Sequence, residues 1–120
     1  MEFKINGYNN KIILGDITMA SDTSNVFTLF VHGFKGFKDW GAHNLVAKYF
    51  AERGINYVKF NFSHSGVPPE NPVDVSQLED FANNTPVKEL YDVNEVIAYL
   101  KTAFPNCKII LIGHSRGGGI

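Results

Sequence analysis

Two short segments of this 120-residue chain are apolar at almost every position, Val26 to Val31 and Lys108 to Ile112 after its first residue, and a further strand is expected at Ile55 to Phe62, built around Tyr57, Val58 and Phe60. A strand with one wet face alternates apolar and polar side chains. A nearly unbroken run suits a strand buried on both faces, as in a parallel sheet. The segments between these runs have helical spacing instead. Ala42, Leu45, Val46, Tyr49 and Phe50 recur at i, i+3, i+4, i+7 and i+8 and predict one apolar helix stripe, closed by Gly54 as a left-handed cap. Farther on, Thr85 suits an N-cap and Pro86 the first helical position. Val87, Leu90, Val93, Ile97, Leu100 and Phe104 form the stripe, and Pro105 ends it. Strands alternating with helices imply parallel βαβ units with helices on both faces of the sheet.

Two weaker strands precede this pattern, Phe3 to Ile5 and Lys11 to Leu14. The turn residues Gly7-Tyr8-Asn9-Asn10 between them predict an antiparallel hairpin at the sheet edge. Residues 20–25 read as a polar loop. Residues 63–84 hold three of the five prolines and few apolar side chains, and read as an irregular loop with a short turn at Ser76 to Phe81. A loop of that length inside a domain is often functional. The expected order is β-β-β-α-β-α-β, with a further helix starting near Ser115, all within one domain over residues 1–120.

The bulk numbers exclude little else. Net charge is -1, without the basic excess of a nucleic-acid or membrane-surface binder. Cys107 is the single cysteine, so no internal disulfide forms. The N-terminus lacks the basic start and apolar core of a signal peptide, and no apolar run approaches a membrane span. The expectation is a cytoplasmic protein with no nucleic-acid or membrane partner.

The chemistry concentrates in Gly113-His114-Ser115-Arg116-Gly117, directly after the last apolar run. A serine hydroxyl is a poor nucleophile unless it is exposed and a base takes its proton. A sharp strand-to-helix turn exposes it at the carboxyl end of a sheet, and the flanking glycines avoid collisions that a Cβ would make. Such a turn also sets the serine at a helix N-terminus, where N–H groups favour developing negative charge. Chance yields roughly 0.05 matches to this spacing in a chain of such composition, so the strand before it and the helix after it must carry the assignment. No Lys-Ser/Thr pair follows Gly117-Gly118-Gly119, so a phosphate loop is not supported. The second motif is His32-Gly33-Phe34, after the first apolar run. Acyl transfer needs two N–H donors aimed at the oxyanion. Arg116 would supply one and Phe34 the other, with Gly33 permitting close approach.

These segments, together with Phe60-Asn61-Phe62-Ser63-His64-Ser65-Gly66, resemble the α/β-hydrolase superfamily, closest in look to dienelactone-hydrolase-like and serine-aminopeptidase-like members. The middle segment is similar to the family's Asp-x-Arg-Gly-x-Gly loop, with Asn61 in place of the acid and Ser63-His64-Ser65 in place of Arg-Gly-x. The likeness covers roughly residues 10–120 and the first half of a typical member. It implies an α/β-hydrolase fold: a mostly parallel sheet with an N-terminal antiparallel hairpin, the C-terminal strands lying outside this chain. It implies Ser115 as nucleophile, oxyanion donors on Phe34 and Arg116, and motif positions at His32, Gly33, Gly113, His114 and Gly117. It also implies a triad acid and histidine beyond Ile120, and no cofactor. The substrate would be an ester, or an amide or peptide, of a small molecule.

Other residues receive plainer expectations. His43 is expected exposed on the first helix, and His64 to stabilise a loop or touch substrate rather than act as base. Cys107 is expected half-buried. Glu79, Asp80, Glu89, Asp92 and Glu95 are expected on a solvated helix face and in the loop. Trp40, Phe34 and Phe37 line an acyl pocket or pack the loop on the first helix. No spacing resembles a metal site. Two rival readings stay open: a non-catalytic hydrolase-fold binding protein, and a module completed by an oligomeric partner or a complementary C-terminal segment.

Overall fold

The computed structural model describes residues 1–20, 24–32, 38, 43–64 and 85–113. Strands β1 (Glu2–Asn6) and β2 (Ile12–Thr18) form the expected antiparallel hairpin, joined through a tight 3-10 turn at Tyr8–Asn10. Asn9 and Asn10 there take φ of 56° and 58°, a left-handed conformation that asparagine tolerates better than most residues. Then follow β3 (Val26–Val31), α1 (His43–Glu52), β4 (Asn56–Phe60), α2 (Pro86–Ala103) and β5 (Lys108–Gly113). The sheet order is β1-β2-β4-β3-β5. β4, β3 and β5 run parallel, and β2 meets β4 antiparallel.

This order has a directional change in it. From β3 the chain passes through α1 to β4 on one side. From β4 it passes through α2 and over β3 to β5 on the other side. Right-handed crossovers in opposite directions place their helices on opposite faces, and the core divides accordingly. Phe27, Leu29 and Val31 of β3 join Val58, Phe60, Val93, Val96 and Leu100 in the cluster under α2. Phe30 joins Tyr57 and Ala47 in a smaller cluster under α1. The alternation along β3 follows from the two-residue period of a strand.

The punctuation of the helices is as expected. The Thr85 hydroxyl accepts from the Lys88 N–H at 3.3 Å with Pro86 in the first turn, and Gly54 after α1 has φ of 81°. The buried faces are not. On α1 the stripe leaves Leu45 72% and Tyr49 54% exposed, with Val46 also exposed. Ala47 and Ala51 are buried instead, because small side chains let the helix backbone approach β4 closely. Tyr49 carries the Arg53 guanidinium 3.5 Å above its ring. His43, expected exposed, is half-buried with its ring 4.6 Å from Phe30.

On α2 the buried face is Glu89, Asp92, Val93, Val96 and Leu100, a single stripe at i, i+3, i+4, i+7 and i+11. Val87 and Leu90 lie outside it and are exposed. Glu89 and Asp92 therefore correct the expectation of a solvated acidic face. Cys107 is half-buried as expected, its thiol 3.8 Å from the Leu100 carbonyl. β2 runs four residues past Leu14. Gly15 hid that continuation, and its missing side chain is what the Phe3 ring occupies: a Cβ there would stand 2.2 Å from the ring.

β5 pairs with β3 alone among the described residues and forms the far edge of the sheet. Ile110 is 49% and Leu111 55% exposed, on opposite faces of that strand.

Candidate functional site

The carboxyl ends of β4, β3 and β5 open at one end of the sheet, and the candidate residues leave from there. Val31 of β3 stands in register with Gly113 of β5. The next residues are His32-Gly33-Phe34 on one strand and His114-Ser115-Arg116 on the other. The strand order reverses between these two neighbours, and in open α/β sheets ligands bind in the crevice at such a reversal. Gly33, Phe34, His114, Ser115, Arg116 and Gly117 lie outside the described residues, as do Trp40, Phe37, Glu79, Asp80 and most of the 63–84 loop.

His32 is buried against Phe62 at the β4 exit. The Phe62 N–H donates to its Nε2 at 3.4 Å, and its ring meets the Phe62 ring edge-on at 4.8 Å. Asn61, which stands where the family's loop has an acid, is also buried. Its backbone N–H donates to the Leu14 carbonyl at 2.9 Å, and its Oδ1 accepts from the Lys38 backbone N–H at 2.6 Å. Asn61 thus ties the segment after β3 to the segment after β4, a task that needs only an acceptor oxygen. The amide supplies that oxygen, while its buried Nδ2 has no hydrogen-bond partner among the described residues.

Ser63 and His64 close the β4 exit against α2. Asp92 Oδ1 accepts from the Tyr8 backbone N–H at 2.9 Å. Its Oδ2 accepts from the Ser63 backbone N–H and the Ser63 hydroxyl, each at 2.8 Å. With the hydroxyl proton given to Asp92, the 2.9 Å contact between Ser63 Oγ and His64 Nδ1 has the ring nitrogen as donor. The order is carboxylate, hydroxyl, imidazole. A charge-relay triad has the imidazole in the middle, so this cluster braces the loop. His64 is only 3% exposed, which agrees with the loop-stabilising expectation.

Burial is the largest influence on Asp92 and pushes its carboxyl above the ordinary carboxylate range. The bonds from Tyr8 and Ser63 and the nearby His64 oppose that shift. Asp92→Ala leaves the buried Ser63 N–H and hydroxyl without their acceptor, each a loss of about 1–3 kcal/mol, and frees the part-buried Tyr8 N–H to meet water. We expect denaturant unfolding to show a loss of about 2–5 kcal/mol. The pH dependence has a definite sign. Where the unfolded carboxyl has ionised and the folded one has not, the folded state binds more protons, so this group's contribution to stability falls as pH rises. Asparagine does not titrate. The stability advantage of wild type over Asp92→Asn is therefore expected to shrink from about pH 4 towards pH 7. An advantage that grows over that interval contradicts the assignment.

Sequence reasoning missed three charged residues next to this site. Asp16 of β2 binds the Lys38 ammonium through Oδ2 at 2.7 Å and the Lys59 ammonium through Oδ1 at 2.9 Å. Lys38 is 4% and Lys59 1% exposed. The available signal was Lys59 itself, a charge between Val58 and Phe60 in an expected strand, which must find a partner when buried.

Among the described residues no group of His, Cys, Asp or Glu could hold a metal ion, and no helix is long and apolar enough to cross a membrane. No protein-family model and no curated protein sequence matches the chain. Solved structures do match. Est1E from Butyrivibrio proteoclasticus, with ferulic acid bound, aligns over 98% of this chain at a TM-score of 0.74 and 18% identity. The chain has the α/β-hydrolase fold. An alpha-beta serine hydrolase homologue from Coxiella burnetii aligns over 98% of the chain, at a TM-score of 0.70 and 19% identity. Dienelactone hydrolase from Anabaena variabilis aligns over 99%, at 0.73 and 14%. The chain spans 43–54% of the length of these three proteins. In hydrolase-fold terms, β3 and β5 are the two neighbouring parallel strands from which the His32 and Ser115 motifs depart.

Proposed function

We propose that this chain carries the nucleophile and oxyanion donors of a serine hydrolase that cleaves a carboxylic ester of a small substrate. The observation that carries the reading is the register of Val31 with Gly113. It starts the Gly113-His114-Ser115-Arg116-Gly117 and His32-Gly33-Phe34 motifs side by side, at the reversal point of a hydrolase-fold sheet. Ser115 Oγ attacks the ester carbonyl as a histidine takes its proton. The Phe34 and Arg116 N–H groups receive the oxyanion, the alcohol leaves with that proton, and water releases the acid from the acyl-enzyme. The acid and histidine follow the serine in this fold family, beyond Ile120. Solved neighbours named as a carboxyl esterase and a cold-adapted esterase favour an ester over an amide or peptide. The reading needs no cofactor, and a cytoplasmic location is proposed alongside it.

Phe34→Pro deletes one proposed oxyanion donor. In the full-length protein it is expected to lower kcat for p-nitrophenyl acetate by about 10²–10³-fold. Near-normal turnover in a folded Phe34→Pro protein removes Phe34 from the site.

A further inference from the structure

Lys38 is held in two ways by groups that belong to the sheet. Its ammonium sits 2.7 Å from Asp16 Oδ2, and its backbone N–H sits 2.6 Å from Asn61 Oδ1. The Asp16 carboxylate is itself held, because Lys59, its cross-strand partner in the β2–β4 ladder, takes the other oxygen at 2.9 Å. A lysine 4% exposed has exchanged its hydration for that carboxylate, and leaving either charge without the other is costly. The chain at residue 38 is therefore held from β2 through the side chain and from the β4 exit through the backbone.

We propose that Lys38 is a positioning residue for the hydrolysis: its two tethers hold the connection after β3 that carries Gly33 and Phe34. The proposal rests on the reading of Ser115 and Phe34 given above. Phe34 lies four residues before Lys38 in the chain. An oxyanion donor acts only within about 2.7–3.1 Å of the developing charge, and a displacement of about 1 Å can cost about 10²-fold in rate. A slack tether thus acts on the transition state and leaves ground-state binding largely alone.

The test compares two charge-equivalent variants of the full-length protein. Lys38→Met and Lys59→Met each remove one ammonium from Asp16, yet of the two lysines only Lys38 lies in the connection after β3. Lys38→Met is expected to lower kcat for p-nitrophenyl acetate about 10- to 100-fold, with KM changed by no more than about twofold. Lys59→Met is expected to keep kcat within about threefold while its melting temperature falls. Lys38→Arg, which keeps a cation for Asp16, is expected to recover most of the lost kcat. If Lys38→Met does not melt cooperatively, Lys38→Gln replaces it in the comparison. Equal kcat losses in both lysine variants, or full kcat in a cooperatively folded Lys38 variant, overturn the proposal. Fluorophosphonate labelling of the wild type separates the two levels. Without labelling at Ser115 the functional reading fails and this proposal with it. With labelling and an unaffected Lys38 variant, the proposal alone fails.

Discussion

Ser115→Ala in the full-length protein is expected to reduce kcat for p-nitrophenyl acetate by on the order of 10⁴–10⁶-fold, with little change in KM. The size follows from the chemistry. The hydroxyl oxygen is the proposed attacking atom, and alanine has none. The oxyanion donors and substrate contacts remain, so a residual acceleration over water of roughly 10³–10⁴ persists. The substitution removes a single oxygen, so thermal unfolding is expected to stay cooperative. If the wild type has no turnover and still binds small esters or acids, the rival reading of a non-catalytic hydrolase-fold binding protein gains instead.

The second large effect concerns the 120-residue polypeptide taken alone. β5 offers an unpaired edge among the described residues, and Ile110 and Leu111 expose apolar surface on its two faces. An exposed apolar edge strand invites pairing with another chain. Leu45 and Tyr49 add apolar surface on α1. We expect this polypeptide to sediment as an oligomer or aggregate, and to become monodisperse when a complementary C-terminal segment is supplied. Its esterase turnover is expected to stay near the residual level of roughly 10³–10⁴ over water, because the proposed base and acid lie elsewhere. Light scattering combined with p-nitrophenyl acetate hydrolysis reads both outcomes. A monodisperse monomer as active as the full-length protein would show that Ser115 needs no later histidine, against the triad proposed.

The parallel core was legible in the sequence because its signal is strong and local. Val26–Val31 and Ile109–Ile112 are apolar runs, and Thr85, Pro86 and Gly54 mark helix ends by chemistry that does not depend on tertiary context. The hairpin was legible from its turn. The helix faces were not. Counting apolar residues favours Leu45, Tyr49, Val87 and Leu90, whereas packing favours alanines that let α1 come close. On α2 it favours Asp92, which satisfies donors from Tyr8 and Ser63. Asp92 could not be placed from its neighbours in sequence, since its partners are Tyr8 and Ser63, 84 and 29 residues away. Asp16 and Lys59 likewise acquire meaning only through the β2–β4 register. Of the candidate site, the two motifs stood out because glycine spacing is local. The bracing around them, from Asn61, Lys38 and Asp92, arises from contacts between elements, and no single segment announces it.

The central claim is that Ser115 is an activated nucleophile, and active-site labelling tests it most directly. The full-length protein is treated with a fluorophosphonate, digested, and mapped by mass spectrometry alongside Ser115→Ala. The account predicts one covalent adduct, on the peptide containing Gly113-His114-Ser115-Arg116-Gly117, at Ser115, with esterase activity lost in step with labelling and no adduct in Ser115→Ala. Labelling of a folded Ser115→Ala protein at the wild-type rate, or an active wild type whose adduct lies on another residue, contradicts it.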